Sequence, residues 1–298
     1  MDALVYFMQN TSSVTYPYPV KKLSIHDDME MAYMDEGKGS QTVVFIHGLA
    51  NYAAAWRYQL TALRQNWRCI AVDLPGNALS SHGDFPYSMF FYAESVKQFI
   101  DKLGLQEVVL CGHSMGGQVA MILALRYPHL VNKLILLAPA GIERFSGTDI
   151  MWIQAMMNIG DFLYADELHL ESAIRDSFQP NSPDMPPMIK EMKKLMQQQP
   201  LRHWRNMSYK SINGMLNEQV HQFIPDIKQP ALVVLGENDK MIPNRLLHPT
   251  LSVQTLALEC EALMMHAQVK VISGAGHFLQ MEKAEEVNQY ISNFLLSN

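Results

Sequence analysis

Short apolar segments alternate with amphipathic segments along most of the chain. The apolar segments are rich in Val, Ile and Leu and end at Gly, Pro or Asp, whereas the segments between them show helical spacing of apolar positions. Continuously apolar strands that are separated by helices indicate a parallel sheet covered on both faces. The predicted strands of this sheet are residues 42–47, 67–73, 107–111, 133–137, 231–235 and 269–272. The pattern therefore predicts an α/β fold.

The flanks and one long interval depart from this alternation. Residues 21–25 and 29–34 are typical of antiparallel edge strands. Between about Gly141 and Phe223 there is no convincing strand and methionine is frequent, so we interpret this interval as a helical insertion that caps the carboxyl ends of the strands. The predicted domains are a core formed by residues 1–141 and 223–298 and a cap formed by residues 142–222.

Composition narrows the functional classes. Of the 298 residues, 48% are apolar and 17% are charged, which is typical of a globular protein. The net charge of −6 without a basic cluster argues against nucleic acid as a partner. No apolar run approaches the roughly 18 residues of a membrane span, and the apolar stretch Ala3–Met8 is short for a signal peptide.

The cysteines and histidines exclude two further classes. Cys69, Cys111 and Cys260 are an odd and sparse set, which is unlike a disulfide framework and predicts a reducing, cytoplasmic location. Neither H-E-x-x-H nor a paired C-x-x-C occurs, so we predict no metal site. There is no P-loop either.

The strongest chemical signal is the hexapeptide GHSMGG, residues 112–117, which follows a predicted strand and opens a predicted helix. Small residues on both sides of Ser114 permit a tight, strained turn that lifts the hydroxyl clear of the backbone. A dinucleotide-binding loop would need G-x-G-x-x-G, and Ser114 occupies the middle glycine position. An ordinary strand-to-helix turn that contains a serine is the other interpretation.

A serine nucleophile needs a base, and the base needs an acceptor that orients it. Of eleven histidines, His277 follows the last predicted strand in a glycine-rich loop at the same edge of the sheet, although a loop histidine without function is the alternative. Asp239 lies just after the strand 231–235, and we prefer it to Glu237, which is two residues nearer that strand. Glu143 is the only local acid after the strand 133–137.

Acyl transfer also needs N–H donors for the developing oxyanion. The residue after the nucleophile supplies one, so we predict the backbone N–H of Met115. The loop after the first apolar strand supplies the other, for which Leu49 is preferred and Ala50 is second. Gly48 would let this loop bend close to the serine, although a plain strand-to-helix loop would look the same.

With these motifs in order, the sequence resembles the α/β-hydrolase superfamily in its capped form. The matching segments are His47-Gly48, the turn 73–80, GHSMGG, GENDKMIP (residues 236–243) and GAGHF (residues 274–278). The resemblance implies a mostly parallel eight-stranded sheet with a helical cap after the sixth strand, a triad of Ser114, Asp239 and His277, and no cofactor. Asn77-Ala78 departs from the His-Gly of many relatives. Serine at the nucleophile position disfavours the dehalogenase and epoxide-hydrolase branches, which use aspartate there.

The resulting expectation is a serine esterase of the carboxylesterase type that acts on a small or medium apolar ester. An amidase, a lactonase or a carbon–carbon bond hydrolase could use the same triad. A ligand-binding member of the fold with little turnover is the alternative of another class.

The methionines of the cap suggest where an apolar substrate would bind. Residues 150–163 are apolar on almost every side, so we expect this helix to be buried on two sides or to face a cavity. Cap packing or a dimer contact is the plainer interpretation. The predicted pocket residues are Met151, Trp152, Met156, Met157 and Phe278. Met188, Met192 and Met196 recur at a spacing of four, which is typical of simple helix packing.

Overall fold

An eight-stranded sheet forms the centre of the protein. The computed structural model describes residues 14–158 and 166–297. The strands are Val20–His26 (β1), Met29–Glu36 (β2), Thr42–Ile46 (β3), Arg68–Val72 (β4), Val108–His113 (β5), Val131–Leu137 (β6), Ala231–Gly236 (β7) and Ala267–Ile272 (β8). Their spatial order is β1-β2-β4-β3-β5-β6-β7-β8.

The sheet is parallel except at one edge. Strands β1 and β2 pair antiparallel with each other, and β2 pairs antiparallel with β4. The remaining pairs, from β4 through β3, β5, β6 and β7 to β8, are all parallel. The predicted mostly parallel eight-stranded sheet with an antiparallel edge is therefore confirmed. The largest shifts in strand boundaries are two residues: β6 and β8 begin two residues earlier than predicted, and β2 and β5 end two residues later.

Ten α-helices occur among the described residues. They are Arg57–Leu63 (α1), Met89–Lys102 (α2), Met115–Arg126 (α3), Gly147–Asn158 (α4), Glu167–Ser177 (α5), Met185–Gln197 (α6), Leu201–Asn217 (α7), Val253–Leu263 (α8), Leu279–Glu282 (α9) and Ala284–Leu296 (α10). Short 3₁₀ segments at Ala53–Trp56 and His221–Asp226 complete the set.

Each central strand serves two hydrophobic cores. In β3, Val44 and Ile46 belong to the core that also contains residues of α2, α3 and α8, whereas Val43 and Phe45 belong to the core with residues of α1 and α10. Successive side chains of a strand point to opposite faces. Because helices cover both faces, every position of β3 except its first is fully buried, which explains the continuously apolar strand sequences.

Three helical segments differ from the sequence prediction. Helical spacing of apolar positions over residues 52–66 predicts one helix, but the structure has a 3₁₀ turn followed by the short α1. The same spacing predicts a closing helix over residues 283–296, and the separate short α9 precedes it. Helix α8 was not predicted at all. Its start carries a recognisable signal, because the Ser252 side chain accepts a hydrogen bond from the N–H of Thr255.

Helices α4–α7 lie between β6 and β7 in the chain. Helix α6 buries Met188, Met192 and Met196 and leaves Lys190 exposed, which confirms simple amphipathic packing for this stripe. Its Glu191 binds both terminal nitrogens of Arg57 on α1, at 3.1 and 2.5 Å. The division into a core and a cap at residues 142–222 stays a prediction, and residues 159–165 of that interval lie outside the described residues.

Helix α4 corrects one expectation. Met151 and Trp152 have exposed fractions of 71% and 43%, Met156 is also exposed, and Met157 is buried. The described part of the predicted helix 150–163 is therefore not enclosed on two sides. Apolar composition alone does not decide coverage, and α4 packs chiefly against α7. The remaining positions, 159–163, lie outside the described residues.

Within residues 14–158 and 166–297, no helix combines the length and the apolar character needed to cross a membrane.

Candidate active site

Ser114 occupies a strained turn between β5 and α3. Its backbone angles are φ +53° and ψ −120°, a region that residues with side chains rarely adopt. Backbone hydrogen bonds hold the residue there. Its N–H donates to the carbonyl of Leu137 at 3.0 Å, and its carbonyl accepts from the N–H groups of Ala140 at 3.0 Å and Gly117 at 2.9 Å. Strain of this kind persists only where the surrounding structure enforces it.

The glycines around Ser114 are required by close backbone packing. A Cβ at Gly112 would lie 2.3 Å from the carbonyl oxygen of Gly116, and a Cβ at Gly116 would lie 2.2 Å from that of Ile46. A Cβ at Gly48 would lie 3.1 Å from the Cβ of Ser114. The loop after β3 therefore packs directly against the serine, as the sequence analysis expected.

His277 and Asp239 form a buried hydrogen-bonded pair. Nδ1 of His277 lies 2.8 Å from Oδ2 of Asp239, and the two residues are 6% and 1% exposed. The other carboxylate oxygen accepts from the N–H groups of Met241 at 2.7 Å and Ile242 at 3.0 Å. A carboxylate with these partners is an acceptor, so Nδ1 of His277 carries the proton and Nε2 is left as the basic nitrogen.

The other two candidate acids, Glu237 and Glu143, bind groups other than His277. The carboxylate of Glu237 accepts from the Ser273 hydroxyl at 2.7 Å and from the N–H of Gly274 at 3.1 Å. The buried Glu143 lies 2.5 Å from Nδ1 of His248. Of the three acids that the sequence analysis considered, Asp239 is therefore the one that contacts His277.

His113 connects the serine turn to the histidine loop. Its Nε2 donates to the backbone carbonyl of His277 at 2.9 Å, and the two imidazole rings are 4.8 Å apart. Since His113 immediately precedes Ser114, this contact brings the end of β5 next to the loop that follows β8. Sequence reasoning gave His113 no part, because its partner is 164 residues away in the chain and no local signal marks it.

His47 fixes the loop of the predicted oxyanion donor. Its Nδ1 lies 2.7 Å from the carbonyl of Gly48, and its Nε2 accepts from the N–H of Leu74 at 3.0 Å. This arrangement requires the neutral imidazole, and complete burial lowers the pKa of His47 to about 4. The partly buried Leu49 follows in this loop, and Ala50 adopts a positive φ of 50°.

Met115 is the first residue of α3. The N–H groups of the first helical turn have no intrahelical acceptor, so that of Met115 is available to a ligand beside Ser114. Leu49 thus lies in the loop after β3, and Met115 lies at the start of α3. Gly48 brings that loop against Ser114, so the two residues flank the serine. Their role as oxyanion donors stays a prediction.

Of the predicted pocket residues, Phe278 lies next to His113 and His277. Its ring is 5.1 Å from that of His113 and stacks on Phe178, which follows α5, at 4.7 Å and 11°. The other four, Met151, Trp152, Met156 and Met157, are all on α4. Helix α4 contacts the segment between β7 and α8 through Asp149, whose carboxylate lies 3.5 Å from Nε2 of His248. That these five predicted residues line a substrate pocket stays a prediction.

Comparison with known proteins identifies the family. A family model described as the alpha/beta hydrolase fold matches residues 41–284. Among curated proteins, the chain is 27% identical over 292 residues to the dihydrolipoyllysine-residue acetyltransferase component of the acetoin cleaving system of Cupriavidus necator, covering 90% of this chain and 67% of that protein. It is 26% identical over 284 residues to a 2-hydroxy-6-oxononadienedioate/2-hydroxy-6-oxononatrienedioate hydrolase of Pseudomonas sp., covering 88% and 90%.

A solved structure supports the same fold. The crystal structure of a "probable hydrolytic enzyme" from Pseudomonas aeruginosa superposes with a TM-score of 0.83 at 23% sequence identity, and the match covers 95% of this chain and 96% of that one.

The packing around Gly116 gives a stability prediction. Gly116→Ala should lower the free energy of unfolding by about 1–3 kcal/mol, because the new methyl group would overlap the carbonyl of Ile46. Gly147→Ala is the matched control, since a Cβ there would meet no described atom within 4 Å. Urea denaturation measures both variants. Equal stabilities of the two would contradict the close approach of α3 to β3.

The buried imidazoles give a pH prediction. The pKa of His47 is about 4 in the folded protein and about 6.5 for a free histidine. Between these values His47 binds a proton in the unfolded chain but not in the folded one, so its contribution to the free energy of unfolding should fall as the pH falls from 6.5 to 4. This contribution amounts to about 3 kcal/mol. Burial also holds the pKa of His113 well below its usual value, which adds to the effect.

Denaturation midpoints measured across that pH range test the assignment. His47→Gln should show a loss about 3 kcal/mol smaller than that of the unsubstituted protein. His129→Gln, which removes an exposed imidazole, should leave the pH dependence unchanged. If the free energy of unfolding of the unsubstituted protein and of His47→Gln depended on pH in the same way, His47 would not be a buried neutral imidazole.

Proposed function

We propose that this chain, which belongs to the α/β-hydrolase fold family, is a serine hydrolase that cleaves an ester-type bond of a small or medium apolar substrate through an acyl-enzyme. The observation that carries the proposal is the buried His277–Asp239 pair beside a serine in a strained turn. A hydrolase among its relatives supports hydrolysis as the reaction class.

In the first half of the reaction, Nε2 of His277 takes the hydroxyl proton of Ser114 as Oγ attacks the ester carbonyl carbon. The C–O bond to the leaving alcohol then breaks, and His277 returns the proton to the leaving oxygen. Asp239 keeps the proton on Nδ1 of His277 and stabilises the imidazolium. In the second half, His277 deprotonates a water molecule, which attacks the acyl-enzyme and regenerates Ser114.

The oxyanion of each tetrahedral intermediate is proposed to bind the backbone N–H groups of Met115 and Leu49. One such donor typically contributes about 3 kcal/mol to barrier lowering. Two observations support the choice: Met115 opens a helix, and Gly48 brings its loop against Ser114. The reaction uses only groups of the chain and water.

Helices α4–α7 are proposed to act as a cap over this site. Two contacts support the idea. The carbonyl of Ser177, the last residue of α5, accepts a hydrogen bond from the N–H of His277 at 2.8 Å, and Phe178 stacks on Phe278. Neutral aromatic groups next to His277 suit an uncharged apolar ester. We retain Met151, Trp152, Met156 and Met157 as proposed substrate contacts on α4.

We also propose a reducing, cytoplasmic location. All three cysteines, Cys69, Cys111 and Cys260, are buried and free, which fits a compartment in which thiols stay reduced.

A fluorophosphonate, which phosphonylates activated serines, tests the nucleophile and the base. The folded protein should take up one label at Ser114, and Ser114→Ala should take up none. His277→Ala should label at least about a thousandfold more slowly, because the serine loses its base. His129→Ala, which removes an exposed histidine, is the matched control and should label normally. A folded protein that takes up no label would instead be a ligand-binding member of the fold.

A carbon–carbon bond hydrolase is the second candidate, favoured by the Pseudomonas relative. Steady-state kinetics with p-nitrophenyl esters of graded acyl length and with a 2-hydroxy-6-oxo-dienoate separate the two. We expect kcat/KM for the best ester to exceed that for the dienoate at least tenfold, because the aromatic rings of Phe278 and Phe178 next to His277 provide no positive charge to pair with the dienoate's carboxylate. The reverse order would replace the esterase assignment by the carbon–carbon one.

A further inference from the structure

The carboxylate of Glu282 binds two backbone N–H groups from separate parts of the chain. Its Oε2 accepts from the N–H of Gly276 at 2.6 Å, and its Oε1 accepts from the N–H of Gln179 at 2.5 Å. Gly276 immediately precedes His277, and Gln179 lies two residues beyond the end of α5. One side chain therefore joins the histidine loop to the segment that leaves α5.

Further contacts make this junction continuous with the proposed active site. The N–H of His277 donates to the carbonyl of Ser177 at 2.8 Å. The side chain of Gln179 accepts from the Asn238 amide at 3.1 Å, and Asn238 precedes Asp239. Segment 177–179 thus contacts the loop of the acid as well as the loop of the histidine.

The backbone at Gly276 is packed too closely for a side chain. A Cβ at Gly276 would lie 2.8 Å from the carbonyl oxygen of Ser177 and 2.9 Å from Oε2 of Glu282. The histidine loop is therefore packed against segment 177–179 with the carboxylate between them. Hydrogen bonds from N–H groups to a carboxylate are stronger than neutral ones, and removing the acceptor leaves partly buried donors unsatisfied.

The two N–H donors partly offset an unfavourable electrostatic environment at Glu282. Burial raises the pKa of Glu282, and the negative charges of Asp184 and Asp239 raise it further, whereas the two N–H donors lower it. The donors thus counteract desolvation and repulsion at a position that an apolar or amide side chain would occupy at less electrostatic cost.

We propose that Glu282 is a positioning residue for His277, which holds the Gly276–His277 backbone against segment 177–179 so that the imidazole stays directed from Asp239 toward Ser114. This role rests on the proposed function. The hydrogen bond from His277 to Asp239 restrains one edge of the ring, but the ring direction also depends on where the backbone carries Cα. Glu282 fixes that backbone on the side of Gly276, and His113 fixes it at the His277 carbonyl.

Glu282→Ala and Glu282→Gln test the proposal. The alanine variant removes both acceptors, whereas the glutamine variant keeps the side-chain volume and one acceptor oxygen. Glu285→Gln is the matched control, because Glu285 is exposed on α10 and the change in charge is the same. Each variant is assayed for the rate of fluorophosphonate labelling of Ser114, for kcat and KM on a p-nitrophenyl ester, and for its melting temperature.

A displacement of about 1 Å in a catalytic group can lower the rate about a hundredfold. We therefore expect Glu282→Ala to lower both the labelling rate and kcat by a factor of about 10 to 100, with KM within a factor of about two. Glu282→Gln should fall between it and the unsubstituted protein. Glu285→Gln should match the unsubstituted protein. A purely structural residue would lower the melting temperature without this selective loss of kcat.

Labelling and kcat that stay within about twofold in folded Glu282→Ala would overturn the proposal, and so would a change confined to KM. If neither Glu282 variant folds, Glu282 is a stabilising residue and the positioning role is rejected. The unsubstituted protein separates this inference from the proposed function. If it is not labelled at Ser114, the serine hydrolase assignment fails; if it is labelled and the Glu282 variants are labelled equally fast, only the positioning role fails.

Discussion

Parallel pairing of the central strands is the constraint on which the rest of the structure depends. Strands β3, β5, β6, β7 and β8 run in the same direction, so their carboxyl ends meet at one edge of the sheet. The loops at that edge carry Gly48, Ser114, Asp239 and His277, which are distant in sequence. Helices on both faces protect the strands from water, and in open α/β sheets ligands bind outside the carboxyl ends of the strands.

This edge concentrates backbone strain and buried polar groups, and each is held by a specific partner. Ser114 keeps its unfavourable φ because its N–H and carbonyl are bonded to the segments that end β6 and begin α3. The neutral His47 contacts backbone groups through both ring nitrogens, and His113 contacts the carbonyl of His277 through Nε2. The rigidity of the site therefore comes from backbone-directed hydrogen bonds, and burying neutral imidazoles makes the fold sensitive to acid.

The strands were predictable from the sequence because burial on both faces leaves a continuous apolar signal, as in β3 and β5. The contact between His277 and Asp239 was predictable because each residue follows a strand of a parallel sheet. Coverage of α4 was not predictable, since composition shows that a helix is apolar but not what packs against it. The roles of His113 and Glu282 were not predictable either, because backbone groups as partners leave no residue-type signal at the partner position.

The same backbone bonding has a consequence for how the helices between β6 and β7 relate to the site. Segment 177–179 contributes a carbonyl to His277 and an N–H to Glu282, so the end of α5 and the histidine loop share one hydrogen-bonded unit. Helix α6 is attached to α1 through Arg57 and Glu191, and to α5 through the ion pair of Lys193 with Glu171 and the hydrogen bond from Gln197 to Glu167. A movement of α6 would break these contacts and expose its buried methionines, and a movement of α5 would displace the proposed base. Motion compatible with catalysis is therefore expected in the parts of this region that do not touch His277.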